Sequence, residues 1–248
     1  MTKHERRFLG ATIAISLVLS FSLPASAMHI MEGFLSKGYC IFWGAVCLPF
    51  LAWGLISIRR TARDHRKTLL VLVMSGAYAF VLSALKIPSV TGSSSHATGT
   101  GLGAILFGPA AMAVIGFIVL LFQALLLAHG GLSTLGANTF SMAIAGPFLA
   151  FGVYKLCLKC KVNRKVAIFL AAFLGDLFTY VITSIQLGLD HPAQSGGSAA
   201  SIGTFLGIFA ITQIPLAVIE GILTVIAIIG LESYAKPELR ELGYLSEV

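Results

Sequence analysis

The sequence predicts an all-α membrane protein with about seven transmembrane passes, preceded by a signal peptide that is cleaved. Hydrophobic residues make up 57% of the 248 residues and charged residues only 11%, whereas soluble domains contain about 45–50% and about 25%. Long apolar runs that are almost free of charge recur along the chain, as in membrane-spanning helices. The net charge of +7 lies in short clusters between these runs, which indicates cytoplasmic loops and not a nucleic-acid-binding surface.

The first 27 residues have the order of a secretory signal peptide. A basic start (residues 3–7) precedes an apolar stretch (8–23), and the small-residue triplet Ala-Ser-Ala follows at 25–27. We expect cleavage after this triplet, which leaves a single mature domain of residues 28–248. An uncleaved first transmembrane helix is the alternative, because the apolar stretch is close to the upper length limit of about 15 residues.

Lys and Arg side chains predict the orientation of the mature chain. Basic residues are concentrated in the connections 59–67 and 155–165, which we therefore expect in the cytoplasm. The connections 87–100, 130–136 and 189–199 contain no Lys or Arg and are expected outside. The mature N-terminus is then outside and the C-terminus inside.

Apolar segments alternate with these connections, and one of the apolar segments must cross the membrane twice. The segments cover residues 40–58, 69–86, 101–129, 137–157, 165–188 and 201–231. As one helix, 101–129 would be about 43 Å long, well above the ~30 Å hydrocarbon core. Gly108-Pro109 interrupts it. We predict a short, irregular, partly buried element at 99–108 and a full helix at 110–129, which gives seven passes.

Two histidines on the outer side are candidates for a metal site. At the mature terminus, the Met28 α-amine, the backbone nitrogen of His29 and its imidazole form adjacent chelate rings around one metal ion. The external loop 88–101 holds His96, whose imidazole would complete a planar set of four nitrogens. Such a set suits Ni(II) and Cu(II) and is accessible to Co(II). The alternatives are a solvated His29 and a flexible loop with an exposed His96.

Other polar residues of the apolar segments have structural interpretations. His129, beside Gly130-Gly131 at the outer end of a segment, is interpreted as a helix-terminal packing residue. Asp176 and Glu220 are functional candidates because intramembrane charges are costly, but helix packing or partner contacts explain them equally well. Candidate interhelical hydrogen-bond partners are Gln123, Asn138 and Gln213.

The sequence has no motif for an energy source or an enzymatic nucleophile. Residues 33–38 have the glycine spacing of a P-loop, but Tyr39 and Cys40 stand where Lys and Ser/Thr are required. No GxSxG is present. A stand-alone permease would need a continuous polar path, and a metalloenzyme would need an open coordination position and a general base. The prediction favoured over both is a membrane-embedded binder of a small ligand that is not an enzyme.

Several stretches across the mature chain carry a resemblance to a known family. They are MHIMEGFL at 28–35, FVLSALKIPSVTGSSSH at 80–96, GTGLGAILFGP at 99–109, LLFQALLLAHGGLSTLGAN at 120–138, ITQIP at 211–215 and AVIEGILTV at 217–225. Together they resemble the CbiM family, the substrate-specific component of cobalt energy-coupling factor (ECF) importers, to which the NikM nickel proteins are close relatives.

This resemblance implies that Met28, His29 and His96 are the metal ligands and that Co(II) is the transported substrate, with no organic cofactor. It also implies a multi-pass protein of the cell (inner) membrane that supplies cobalamin biosynthesis. The implied partners are a transmembrane coupling (T) component, two ATPase subunits that hydrolyse the ATP, and a small CbiN-like membrane protein. Nickel is the alternative substrate, because the Irving–Williams order places Ni(II) above Co(II).

Overall fold

The computed structural model describes residues 29–85, 87–88 and 94–245, and these residues are almost entirely helical. In chain order the helices are α1 (Lys37–Asp64), α2 (Leu69–Ala84), α3 (Thr100–Phe107), α4 (Pro109–Leu126), α5 (Leu135–Asn138), α6 (Gly146–Lys159), α7 (Arg164–Asp190), α8 (Gly197–Tyr234) and α9 (Lys236–Glu241). The predicted all-α class is confirmed. The predicted signal peptide and Met28 lie outside the described residues.

Six helical stretches of the described chain are long and apolar enough to cross a membrane. They are α1, α2 with the 3-10 turn before it, α4, α5 continued into α6, α7 and α8. Large apolar side chains are exposed along them, with Ile41 74% and Leu70 66% accessible, because the outer faces of such helices meet lipid. The protein is therefore a multi-pass membrane protein.

The predicted break at Gly108-Pro109 is confirmed. Gly108 has a φ of 83°, a left-handed conformation that glycine adopts without strain. Pro109 begins α4, where its missing N–H costs no hydrogen bond. The helices on either side pack against each other, and Gly103 of α3 lies directly against Met112 of α4.

Helix α3 is the short element that was predicted at 99–108, but it is a regular α-helix, so the prediction of irregular backbone was wrong. It has eight residues, which corresponds to about 12 Å. Seven of them, Thr100 to Leu106, are buried, and α3 contacts α2, α4, α6, α7 and α8. Gly99, with a φ of 67°, begins this helix at a point where a β-carbon would lie 2.7 Å from the Ala79 Cα atom. Helix α4 ends at Leu126, so the predicted boundary at residue 129 was too late.

Two irregular features interrupt the helical bundle. Strands β1 (Ile87–Pro88) and β2 (Ser94–Ser95) pair antiparallel ahead of α3. Between α5 and α6, residues Thr139–Ala145 form a π-helical turn in which the Gly146 N–H bonds to the Ser141 carbonyl, five residues back. Turns of this kind widen a helix and are frequent at functional sites. This turn was not predicted from the sequence.

Helix α8 is much longer than a membrane core. Its 38 residues correspond to about 57 Å, against a core of about 30 Å. Pro215 lies inside it, and it packs along α7. Gln123 of α4 donates to the Ser83 hydroxyl of α2, and Gln213 of α8 donates to Asp176 of α7, so these two predicted interhelical partners are confirmed. The Asn138 side chain instead binds the segment before α1 and Thr134.

Candidate metal centre

The segment before α1 is held at Ile30 by hydrogen bonds to its main chain. The Ile30 N–H donates to Asn138 Oδ1 over 2.8 Å, and the Asn138 Nδ2 group donates back to the Ile30 carbonyl over 3.0 Å. Thr134 Oγ1 donates to the same carbonyl over 2.6 Å. Both the N–H and the C=O of one residue are therefore bound by neighbouring side chains. We call these three contacts the Ile30 anchor, and they set the position of the adjacent His29.

The turn that follows α4 packs against the same segment. Gly130 has a φ of 80°, and a β-carbon on Gly131 would lie 2.5 Å from the Glu32 Cα atom. The Ser133 N–H donates to Glu32 Oε2 over 3.0 Å. Hydrogen bonds from the Ser133 side chain and main chain lower the pKa of the Glu32 carboxyl. Only glycine at position 131 allows this close approach of the two chain segments.

His96 lies in the buried segment between β2 and α3. Residues 95–99 are all buried, and the His96 side chain is fully so at 0% exposure. Ser95 Oγ bonds to Thr212 Oγ1 of α8 over 2.7 Å. The alternative of a flexible loop with an exposed His96 is therefore wrong for these residues.

His129 follows the C-terminal end of α4 and lies directly before the glycine turn. Its main-chain N–H bonds to the Gln123 carbonyl over 3.1 Å, and the preceding Ala128 has a φ of 46°, which is uncommon for a residue other than glycine. This backbone turns the 1% exposed imidazole into the protein.

The three imidazoles of His29, His96 and His129 converge in one cluster. One ligand atom from each lies within 4.8 Å of the others, and the ring centroids are 4.4–4.9 Å apart. All three side chains are buried. Buried imidazoles that face one another are a typical arrangement for a transition-metal site.

Neighbouring acceptors determine which ring nitrogens carry hydrogen. His96 Nδ1 is 3.0 Å from the Ala97 carbonyl, which only accepts, so Nδ1 is the protonated nitrogen and Nε2 carries the lone pair that a metal needs. His29 Nε2 is 3.1 Å from the Met142 sulfur, which also only accepts. His29 Nδ1 then carries the lone pair, and it is the ring nitrogen that can close a chelate ring with the backbone nitrogen of the same residue.

His129 contacts the same nitrogen of His29. The distance from His29 Nδ1 to His129 Nε2 is 3.0 Å, and His129 must donate because His29 Nδ1 has no hydrogen. His129 thus holds His29 Nδ1 through a hydrogen bond inside the cluster.

The structure thus brings the predicted His29 and His96 together and adds His129. Met28, the third predicted ligand, lies outside the described residues. The interpretation of His129 as a packing residue overlooked its place in the cluster. Its position beside Gly130-Gly131, on the same predicted outer side as the other two histidines, was the signal in the sequence that pointed to it.

Comparison with known proteins assigns the chain to a family. Residues 29–239 match the family CbiM, described as "Cobalt uptake substrate-specific transmembrane region". The chain belongs to the CbiM family. The resemblance noted in the sequence is confirmed over most of the mature chain, and the three-histidine cluster lies within the matched region.

Similar CbiM proteins cover nearly the whole chain. The cobalt transport protein CbiM of Lachnoclostridium phytofermentans is 60% identical over 246 residues, which cover 99% of this chain and 98% of that protein. The cobalt transport protein CbiM of Moorella thermoacetica is 58% identical over 241 residues, or 97% of this chain and 93% of that protein. These CbiM proteins are named as transporters, which agrees with the expectation that the chain is not an enzyme.

Solved structures share the fold. The crystal structure of a transition metal transporter is 27% identical, has a TM-score of 0.71, and covers 83% of this chain and 92% of that one. A truncated transition metal transporter gives the same identity and TM-score and covers 99% of its own chain. Family and fold together make this CbiM protein a component of a metal transporter.

Proposed function

We propose that the protein is the substrate-capture component of an ECF-type cobalt importer. It binds Co(II) at the outer face and delivers it through a complex in which partner subunits hydrolyse ATP, and the cobalt feeds cobalamin biosynthesis. The convergence of His29, His96 and His129 within 4.8 Å carries this proposal, since buried imidazoles without a metal have little reason to face one another. The names of the similar proteins support cobalt as the substrate.

The proposed ligands are four nitrogens from three residues. They are the Met28 α-amine, the main-chain nitrogen of His29, His29 Nδ1 and His96 Nε2. Removal of residues 1–27 creates the α-amine, so processing of the signal peptide is part of site formation. His129 keeps His29 Nδ1 hydrogen-bonded before the metal arrives, and the metal displaces that hydrogen bond.

The proposed orientation places this site outside and the C-terminus inside, with seven passes. The buried segment 95–99 can extend up to about 17 Å, and α3 adds about 12 Å. Together they match the ~30 Å core, so this segment and α3 form the seventh pass. The basic clusters in 59–67 and 155–165 then face the cytoplasm, as the positive-inside rule expects.

Cysteine labelling tests this orientation. A variant that keeps only Cys160, which is exposed between α6 and α7, should resist a membrane-impermeant maleimide in intact cells and react after permeabilisation. In a cysteine-free background, Ser195→Cys, which is exposed between α7 and α8, should react in intact cells. Labelling of Cys160 from outside would contradict the seven-pass arrangement.

The proposed partners are a T component, two ATPase subunits and a small CbiN-like membrane protein. The chain carries no P-loop of its own, so energy for uphill transport must come from other subunits. The exposed apolar faces of the helices accommodate both lipid and such partners.

Reconstitution with and without the ATPase module tests the proposed function. Vesicles that contain the whole complex should accumulate Co(II) only with ATP, and the chain alone should bind Co(II) but not transport it. Uptake by the chain alone would support a permease instead. Elemental analysis after loading from an equimolar mixture of Co(II) and Ni(II) determines the substrate, and nickel is the competing candidate because nitrogen ligands bind Ni(II) more tightly.

A further inference from the structure

A buried polar network connects helices α7 and α8 beneath the His96 segment. Asp176 of α7 is 1% exposed, and Gln213 and Glu220 of α8 are both 0% exposed. The carboxyl groups of Asp176 and Glu220 lie close enough to interact electrostatically. Burial of carboxyl groups costs free energy, so buried acids in membrane helices indicate a functional or structural role. Neither acid belongs to the histidine cluster.

Two members of this network hold the main chain that directly follows the His96 side chain. Gln213 Nε2 donates to the His96 carbonyl over 3.2 Å. Glu220 accepts from the Thr98 N–H over 2.5 Å and from Thr98 Oγ1 over 3.0–3.1 Å. These bonds end on main-chain atoms and on one hydroxyl. The network therefore acts on the backbone that carries His96.

Asp176 joins the two holding residues. Gln213 Nε2 also donates to Asp176 Oδ2 over 2.6 Å. The amide orientation of Gln213 is determined, because the His96 carbonyl accepts and cannot donate. Asp176 therefore acts as an acceptor for Gln213, and the oxygen of an asparagine side chain would accept this bond equally well.

We infer that Asp176, Gln213 and Glu220 are positioning residues that set where His96 stands, and so determine metal affinity. This inference rests on the proposed function, in which His96 Nε2 is a ligand. Groups that orient a ligating histidine typically change metal affinity by about 10–100-fold when they are removed. The competing role is a second cation-binding site, in which the carboxylate of Asp176 itself binds the ion.

Substitutions at Gln213 and Asp176 separate these roles. Gln213→Met keeps the side-chain volume but removes both hydrogen bonds, and it should weaken Co(II) binding by about 10–100-fold. Asp176→Leu should do the same. Asp176→Asn keeps the oxygen that accepts from Gln213, and its affinity should stay within about threefold of the wild-type value.

A matched control comes from the same helix. Thr224→Val removes a buried 3.1 Å bond to the Tyr78 hydroxyl, one turn beyond Glu220, without touching the His96 segment. It should leave Co(II) affinity unchanged, although it disturbs a buried hydrogen bond of comparable size.

The measurement is titration of purified full-length mature protein with Co(II), together with the ligand-field absorption of the bound ion and the thermal midpoint of the metal-free protein. Weakened binding with a shifted absorption band in Gln213→Met and Asp176→Leu, and rescue in Asp176→Asn, would support positioning. Wild-type affinity in Gln213→Met, or loss of binding in Asp176→Asn, would overturn it. Failure of the wild-type protein to bind Co(II) or Ni(II) would instead overturn the proposed function, and the positioning role with it.

Discussion

Insertion of one residue between Ala27 and Met28 is expected to abolish metal capture. The Ile30 anchor holds the main chain at Ile30 through Asn138 and Thr134, so the inserted residue cannot be absorbed by sliding the segment along the site. His29 stays in the cluster, but the α-amine moves away by one residue. The α-amine and the main-chain nitrogen of His29 are two of the four proposed ligands. After the insertion they can no longer bind the same ion in one chelate ring. We expect Co(II) affinity to fall by more than about 100-fold, or roughly 2.8 kcal/mol.

Metal content of the purified variant measures this effect, with the mature terminus confirmed by mass spectrometry. Met28→Leu is the matched control, because only main-chain nitrogen of residue 28 is proposed to bind, and it should retain wild-type affinity. Normal binding by the extended chain would refute the terminal chelate. The ligands would then have to be sought among the three imidazoles alone.

His96→Ala is expected to remove metal binding and, unlike a loop substitution, to cost stability as well. The side chain is fully buried, so its loss should lower the free energy of unfolding by about 1–3 kcal/mol. Because Nε2 is the proposed fourth ligand, Co(II) affinity should fall by more than about 100-fold. The sequence alone had placed His96 in an external loop, where truncation would leave stability unchanged.

The shift of the thermal midpoint on addition of Co(II) separates the two effects. A ligand at 100 times its Kd stabilises the folded state by about 2.7 kcal/mol, so the wild-type midpoint should rise and the His96→Ala midpoint should not, whatever its starting value. His65→Ala is the control, since His65 is partly exposed beside Glu241, away from the cluster. An undiminished Co(II) shift in His96→Ala would exclude His96 as a ligand.

The sequence determined the features that depend on local composition. Long uncharged apolar runs predicted the membrane helices because the hydrocarbon core demands them. Gly108-Pro109 predicted the boundary between α3 and α4, because one residue supplies a left-handed φ and the other lacks an N–H. The mature Met28-His29 terminus and His96 were singled out from their chemistry and their common predicted side of the membrane.

Tertiary structure alone decided how distant residues combine. His29 and His129 are 100 positions apart, and nothing in the periodicity of either segment shows that the turn after α4 packs against the terminal segment. The π-helical turn that brings Met142 to His29 and the α7–α8 network under His96 have the same origin. Apolar runs and helix-breaking residues can be recognised within a few residues of sequence. A buried site instead depends on which helix faces pack together, and the packing of the whole bundle determines those faces.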